Sequence, residues 1–118
     1  YDAPVVQALR FHARFYLHGH RVGGTNPSLV EALGASCAVI AHDNQFNRWV
    51  AGESAAYFKD EAGCSLLFNQ LLNDTTRAHS MKEISRKRFN ERFTWQQVLE
   101  EYEQLLSSWC QPPHRVER

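Results

Sequence analysis

Apolar residues along this chain fall into two patterns, short uninterrupted runs and a helical period. Residues 14–18 (R-F-Y-L-H) are rich in aromatics and end at a glycine, which predicts a strand. Residues 36–41 (S-C-A-V-I-A) form an apolar run with β-branched residues at its centre, typical of a strand buried on both faces of a parallel sheet. Residues 56–58 predict a further short extended segment.

Helices are predicted between and after these runs. The signals are Asp or Thr as a cap, Pro in a first turn and Gly after a last turn. The predicted helices start at Asp2, Pro27, Asp60, Asp74 and Thr94, and the second of them ends at Gly34. The predicted loops are residues 19–26 and 42–48, and residues 111–118, which contain two prolines, are predicted to be a flexible tail.

The order of these elements indicates the fold class. Strands that alternate with helices and are themselves apolar predict an α/β fold, with a parallel sheet, flanking helices and a helical C-terminal end. A length of 118 residues suits one domain, for which we expect residues 1–110. Because residue 1 is not Met and an element begins at once, we expect the chain to be a piece of a longer protein.

Charge and cysteine content narrow the classes of function. Lys plus Arg and Asp plus Glu number 13 each, so the basic excess typical of a nucleic-acid-binding domain is missing. Three widely spaced cysteines without a C-x-x-C pair fit neither a disulfide framework nor a structural zinc site, and we expect reduced thiols. The sequence has no signal-peptide pattern and no apolar run of membrane-spanning length. We therefore expect a cytoplasmic protein without a bound metal or prosthetic cofactor.

The most informative stretch is the glycine-containing loop of residues 19–26, which leaves a predicted strand and enters a helix. In an open parallel sheet, loops at the carboxyl ends of the strands form ligand sites. Glycines allow a ligand to approach the backbone, and the unpaired amides and dipole of a helix N-terminus favour a phosphate. The loop has neither a Walker signature nor a G-x-G-x-x-G fingerprint. A phosphate-binding loop and a simple tight turn fit this pattern equally well.

The same stretch resembles a known family. Residues 16–33 read Y-L-H-G-H-R-V-G-G-T-N-P-S-L-V-E-A-L, which resembles the donor-binding signature E-G-x-x-x-x-x-x-E-A of retaining GT-B glycosyltransferases of family 4. Residues 36–43 (S-C-A-V-I-A-H-D) resemble the strand that follows it, and residues 89–102 (F-N-E-R-F-T-W-Q-Q-V-L-E-E-Y) resemble the family's terminal helix. The resemblance covers residues 14–106. More narrowly, the loop looks like that of bacterial rhamnosyltransferases of surface polysaccharide synthesis, where glycine is typical at the first Glu position, here Gly23.

The resemblance implies a fold and an activity. The fold would be the incomplete, Rossmann-like C-terminal domain of a GT-B enzyme, without its N-terminal acceptor domain and without the first strands of its own sheet. The chain would be the donor-binding half of a retaining glycosyltransferase of polysaccharide biosynthesis, inactive alone and with catalytic residues unknown. Its donor would be a nucleotide-diphosphate sugar, dTDP-L-rhamnose in this subgroup, and its acceptor a glycan or a lipid-linked acceptor.

The resemblance also implies roles for individual residues. Glu31 would accept hydrogen bonds from the ribose of the nucleotide. Gly23 replaces the carboxylate that usually holds the donor sugar, so the sugar would be oriented by other groups. The residues implied to cradle the diphosphate through amides and short side chains are Gly24, Thr25, Asn26, Ser28 and Leu29.

Other polar residues are candidates for the same cleft. His18 and His20 share one face of a strand, and we expect one of them to hydrogen-bond near the phosphates in preference to binding a metal. Asp43 and Arg48 follow the second strand, so they belong to the same end of the sheet as the glycine loop. Asp43 would contact the sugar or shape the acceptor cleft, and Arg48 would lie near a phosphate; a solvated loop is an equally good explanation of both.

Two helical surfaces carry further hypotheses. The helix from Asp74 is basic, and the usual interpretation of such a charge run is a solvated face. The more specific alternative is peripheral contact with the anionic inner face of a membrane. Trp95, Tyr102 and Trp109 recur at helical spacing on the last helix. That spacing predicts either a core face or a docking face for the missing domain.

Two other classes of function stay open at this stage. A GT-B epimerase would need carboxylates in the cleft for proton abstraction, and Glu31 and Asp43 are the two available. A non-catalytic α/β interaction module would show an acidic cluster at the strand ends, where this chain has Gly, His and Asn instead.

Overall fold

Three short parallel strands form the sheet in the computed structural model of this chain, which describes residues 2–110. The strands are β1 (Tyr16–His18), β2 (Val39–His42) and β3 (Ala55–Phe58), in the spatial order β1-β2-β3. Tyr16 pairs with Val39, and Val39 pairs with Ala55, so the strands run in register from one edge to the other. The predicted α/β class with a parallel sheet is confirmed.

Six helices surround this sheet in the described part of the chain. They are α1 (Ala3–His12), α2 (Pro27–Gly34), α3 (Gln45–Ala51), α4 (Glu61–Asn73), α5 (Thr75–Arg92) and α6 (Trp95–Trp109). Each begins after a side chain that accepts a hydrogen bond from a first-turn amide: Asp2, Asn26, Asn44, Asp60, Asp74 and Thr94. Such caps stabilise a helix by about 1 kcal/mol each, and they confirm all five predicted helix starts.

Three boundaries differ from the sequence prediction. The predicted polar loop of residues 42–48 is wrong in its second half, because Asn44 caps α3 there. Strand β1 begins at Tyr16, two residues later than predicted, and β2 is shifted toward His42. The predicted tail of residues 111–118 lies outside the described residues.

The sheet is buried on both faces, which confirms the interpretation of the apolar run before His42. One face packs against α2 and α3 through a cluster around Leu29, Leu33 and Val50. Phe89 of α5 and Phe93, which directly follows α5, pack against this cluster. The other face packs against α4 and α5 through Ile40, Leu71 and Met81. A Cβ at Gly34 would lie 3.0 Å from the Phe89 ring, so α2 and α5 approach closely at that point.

Helix α6 contributes no buried residue to this core. The side chains of Trp95 and Trp109 are 80% and 82% exposed, and Tyr102 is exposed as well. The prediction that this aromatic stripe is core is therefore wrong, and a docking face remains the alternative. No helix in the described part of the chain combines the length and the apolar character needed to cross a membrane.

Candidate functional site

The carboxyl ends of the three strands lie at one edge of the sheet, because all three strands are parallel. His18 ends β1, His42 ends β2 and Phe58 ends β3. The loop of residues 19–26 leaves this edge after β1 and enters α2. The edge therefore brings together the glycine loop, His18, His20 and Asp43, as the sequence predicted.

The glycine loop presents unpaired backbone amides. The amides of Gly23, Gly24 and Thr25 have no hydrogen-bond acceptor among residues 2–110. Gly23 has a φ of +118°, a conformation that L side chains rarely adopt, whereas a Cβ at Gly24 would meet nothing within 4 Å. Contacts within the described chain therefore do not require a glycine at position 24, and the space beside that residue is open.

More of the first-turn amides of α2 have hydrogen-bond acceptors within the chain than predicted. Asn26 accepts from the amide of Ser28 through Oδ1 at 3.0 Å, and the amides of Leu29 and Val30 donate to the carbonyl of Asn26. Pro27 has no amide hydrogen. The expectation that Ser28 and Leu29 offer free first-turn amides is therefore wrong, because the cap and the tight first turn already use them. The unpaired donors lie one step earlier, in the loop itself.

Two of the predicted site side chains also have partners within the fold. Leu29 is fully buried in the core beside α3, so its side chain cannot face a ligand. Ser28 lies near the phenol of Tyr16 on β1. Burial raises the pKa of Tyr16, while Arg10 and the Ser28 hydroxyl act in the opposite direction. Tyr16 thus remains a neutral phenol beside the start of α2.

Glu31 forms an ion pair that the sequence did not reveal. Its Oε2 accepts from Nη1 of Arg10 on α1, and the Arg10 side chain is only 13% exposed whereas that of Glu31 is 40% exposed. Glu31 therefore keeps a solvent-facing part while one oxygen is held by α1. Arg10 was missed because the partners lie 21 residues apart, and no local pattern links α1 to α2.

His18 is a buried imidazole with an unsatisfied nitrogen. It is 1% exposed, and its Nε2 has no hydrogen-bond partner. His20 stacks on it with ring centroids 4.9 Å apart, which confirms that the two rings share a face of the strand. Burial lowers the pKa of His18, and His20 lowers it further, so the ring is held neutral. A neutral ring with one unused nitrogen is suited to exchanging a single hydrogen bond with a bound group.

Two asparagines hold the start of the glycine loop against α3. Asn47 is 3% exposed, and its amide donates to the carbonyls of His20 and His42, each at 2.9 Å. The Asn44 amide also donates to the His20 carbonyl at 2.9 Å, while its Oδ1 caps α3. These bonds fix the start of the glycine loop to the ends of two strands. Asn44 before a helix is a recognisable cap, but the partners of Asn47 cannot be inferred from its neighbours.

Asp43 and Arg48 form an ion pair in place of two separate ligand groups. Nε of Arg48 donates to Oδ1 of Asp43, and the guanidinium lies 4.4 Å from the centroid of the Tyr57 ring. Hydrogen bonding to Arg48 lowers the pKa of Asp43 and raises that of Arg48. Burial raises the pKa of Tyr57 to about 12, and its hydroxyl donates to the carbonyl of Gly52 at 2.7 Å. The structure brings Asp43 and Arg48 to the predicted edge, with their charges already matched.

Several basic side chains of α5 make contacts within the fold. Arg88 donates to the carbonyls of Trp49 and Val50 at the end of α3, and Arg92 lies 4.8 Å from the Trp49 ring centroid. Lys82 donates to the carbonyl of Ala13 at 3.0 Å. Half of the six Lys and Arg residues of α5 thus have structural roles, so fewer basic side chains remain to contact a membrane.

No metal centre is recognisable among residues 2–110, because no three His, Cys, Asp or Glu side chains come close enough to share an ion. Comparisons of the chain with protein-family models, with curated proteins and with solved structures return no match. The geometry of the sheet edge and the residues of the glycine loop are therefore the basis for a functional assignment.

Proposed function

We propose that this chain is the donor-binding half of a retaining glycosyltransferase of the GT-B fold, and that its glycine loop binds the diphosphate of a nucleotide sugar. The observation that carries the proposal is the set of unpaired amides of Gly23, Gly24 and Thr25 at the carboxyl edge of a parallel sheet. Consecutive backbone donors in an open loop form an anion-binding concavity, and phosphates commonly occupy such places.

The strand order supports a Rossmann-like parent fold. In doubly wound sheets with order 3-2-1-4-5-6, strands four to six follow one another on one side of the sheet. The order β1-β2-β3 matches that half, with β1 at the edge where the other half would pair. Leu17, at the middle of this edge strand, is 57% exposed, as expected of a side chain whose neighbours belong to a missing element. Ligands bind at the reversal point of such sheets, and the glycine loop would lie there if the other half paired with β1.

Glu31 is the proposed ribose-binding group. Its carboxylate keeps one face toward solvent, and its second oxygen can accept from a ribose hydroxyl while the first stays with Arg10. Because Gly23 carries no side chain, the sugar itself would be oriented by loop amides and by groups outside residues 2–110. L-rhamnose on dTDP is the donor proposed from the resemblance, with a glycan or lipid-linked acceptor supplied to another domain.

The proposed chemistry is transfer of the glycosyl group with retention. As the bond to the sugar breaks, negative charge grows on the departing diphosphate. Fixed loop amides aimed at that charge would stabilise it without reorganisation. His20, which is exposed beside the loop, would add one hydrogen bond to a phosphate oxygen, because the unpartnered Nε2 of His18 is closed to solvent. This half contributes binding and charge stabilisation, whereas the acceptor comes from the N-terminal domain.

An epimerase fits the edge less well. Proton abstraction needs a carboxylate that can act as a base, yet Arg10 engages Glu31 and Arg48 engages Asp43. The lowered pKa of Asp43 makes it a weaker base still. A non-catalytic interaction module would show an acidic cluster at the strand ends, whereas Asp43 at this edge is paired with Arg48.

Calorimetric titration with dTDP, UDP and GDP tests the proposal, and Glu31→Gln is the site variant. We expect a preference for one nucleotide and a loss of affinity of roughly ten-fold in Glu31→Gln, the value of one hydrogen bond to a charged group. Glu103→Gln, on the distant helix α6, is the matched control and should bind as the parent does. A folded chain that binds none of the three nucleotides would refute the proposal.

A further inference from the structure

Helix α6 carries an apolar stripe with an acidic border. The stripe is exposed along the whole helix and consists of Trp95, Leu99, Tyr102, Leu105, Leu106 and Trp109. Glu101 and Glu103 flank it, Glu100 lies on the opposite side of the helix, and the helix has no Lys or Arg. A continuous apolar face of this kind on a projecting helix is a binding surface for another protein element.

Helix α5 and the end of α1 form a surface of opposite charge. A groove of about 460 Å³ lies between Phe11, Ala35 and Ser36 on one side and His79, Lys82 and Arg86 on the other. The Phe11 ring is 64% exposed and provides an apolar floor. Glu83 also borders this Phe11 groove, where it faces His79 at 3.5 Å. Over its length, α5 carries six Lys or Arg residues and two Glu residues.

We propose that α6 of one copy of this chain packs along α5 of a second copy, with the Trp109 side chain in the partner's Phe11 groove. The exchange is reciprocal, so one two-fold axis covers both stripes and both grooves. Trp109 is chosen because it lies at the end of α6 farthest from its own α5 and is the most exposed aromatic residue of the stripe.

Charge decides between this arrangement and direct pairing of two α6 helices. In an α6–α6 pair, Glu101 and Glu103 of one helix would meet those of the other without any cation on either helix. In an α6–α5 pair, the same two Glu residues would face Arg86 and Lys87, the second of which is already paired with Glu91. Like charges opposed across an interface are strongly disfavoured, whereas opposite charges fix partner and register. An anionic membrane is excluded as the occupant of α6 for the same reason, since its polar border is acidic.

Sedimentation velocity over a range of protein concentrations, at low and at high salt, tests this proposal. We expect a monomer–dimer equilibrium whose Kd rises with salt, because the interface is charge-complementary. Trp109→Ser should raise the Kd at least about ten-fold, as expected for a central aromatic anchor. A chain that stays monomeric at every concentration would overturn the proposal, and so would a dimer that tightens with salt.

Charge reversal provides the sharper test. The double change Glu101→Lys and Glu103→Lys should raise the Kd about ten-fold or more, and the double change Arg86→Glu and Lys87→Glu should do the same. Because both chains of the dimer carry both surfaces, combining all four changes in one chain should restore association. Helical content is kept, since Glu and Lys have similar helix propensities. Arg21→Glu, on the glycine loop, is the control and should leave the Kd unchanged.

Each remaining outcome has a defined meaning. If the four-change chain fails to recover while each partial variant is monomeric and folded, the two surfaces do not meet and the proposal is wrong. If the Arg86 and Lys87 changes leave the Kd unaltered but abolish binding to phosphatidylserine vesicles, the basic face contacts membranes instead, and the proposal is again wrong. Neither result bears on nucleotide binding at the glycine loop, so this inference and the proposed function can fail separately.

Discussion

The guanidinium of Arg10 and the carboxylate of Glu31 form an ion pair that ties α1 to α2. It gives Glu31 a structural task besides the ligand role proposed for it. The Arg10 side chain is nearly buried, so it depends on this acceptor, whereas Glu31 is half open to solvent. Any change at Glu31 is therefore expected to affect stability and binding together, and the two effects need separate measurements.

Glu31→Gln should lower the free energy of unfolding by about 1–2 kcal/mol, because Arg10 loses a charged acceptor in a poorly solvated place. Urea titration followed by circular dichroism measures this change. Adding Arg10→Met to Glu31→Gln should cost little more, since the partner is already lost. Two single changes that simply add in the double variant would contradict the pairing.

Asn47→Ala should destabilise the chain by about 1–2 kcal/mol, because the carbonyl of His42 and that of His20 lose a buried donor, although Asn44 still donates to His20. Asn73→Ala is the matched control: it removes an exposed amide bond to the carbonyl of Asn69 and should change stability by less than about 0.5 kcal/mol. Thermal unfolding of both variants provides the comparison. Equal melting temperatures for the two would refute the role given to Asn47.

The two adjacent loop glycines should respond differently to alanine. Gly23→Ala should cost about 1 kcal/mol or more, because Cβ is strained at a φ of +118°. Gly24→Ala has open space for its Cβ and should leave stability unchanged. If a diphosphate approaches the loop closely, Gly24→Ala should nevertheless weaken nucleotide binding. Unchanged stability together with unchanged affinity would show that nothing approaches Gly24.

Because His18 is buried, the free energy of unfolding of the chain should decrease in mild acid. Burial lowers its pKa below the ordinary value of 6.5, so between that value and the folded pKa the unfolded state binds more protons. Its stability contribution is full above about pH 6.5 and falls as pH decreases through that window, by at most about 1.4 kcal/mol per pH unit. His18→Gln should flatten this dependence, whereas Asn73→Ala, which removes no titratable group, should leave it unchanged. Parallel stability–pH curves for parent and His18→Gln would contradict this assignment.

Local chemistry explains which parts of the fold could be predicted. Asp60, Asp74 and Thr94 cap helices through amides three residues away, so sequence spacing alone reveals them. The buried run before His42 identified the central strand for a similar reason. Helix α3 was missed because its cap, Asn44, lies in a short polar stretch whose apolar period covers only two turns.

Long-range contacts explain what could not be predicted at the site. The bonds from Asn47 to two strand ends and from Arg10 to Glu31 join residues that come together only in the folded chain. The occupied amides of α2 follow from the conformation of Asn26, which composition does not specify. Helical spacing on α6 predicted an apolar face correctly, but spacing cannot distinguish a protein's own core from a surface awaiting a partner.

The most direct test of the proposed donor site is an amide ¹H–¹⁵N correlation spectrum of the labelled chain during titration with dTDP. We expect saturable shifts at Gly23, Gly24 and Thr25, with a common Kd, because their unpaired amides would donate to the diphosphate. Gly63, in the first turns of α4, should not move and serves as the internal reference. If dTDP leaves the three loop amides unshifted, or shifts only residues away from the carboxyl edge of the sheet, the glycine loop is not the nucleotide site.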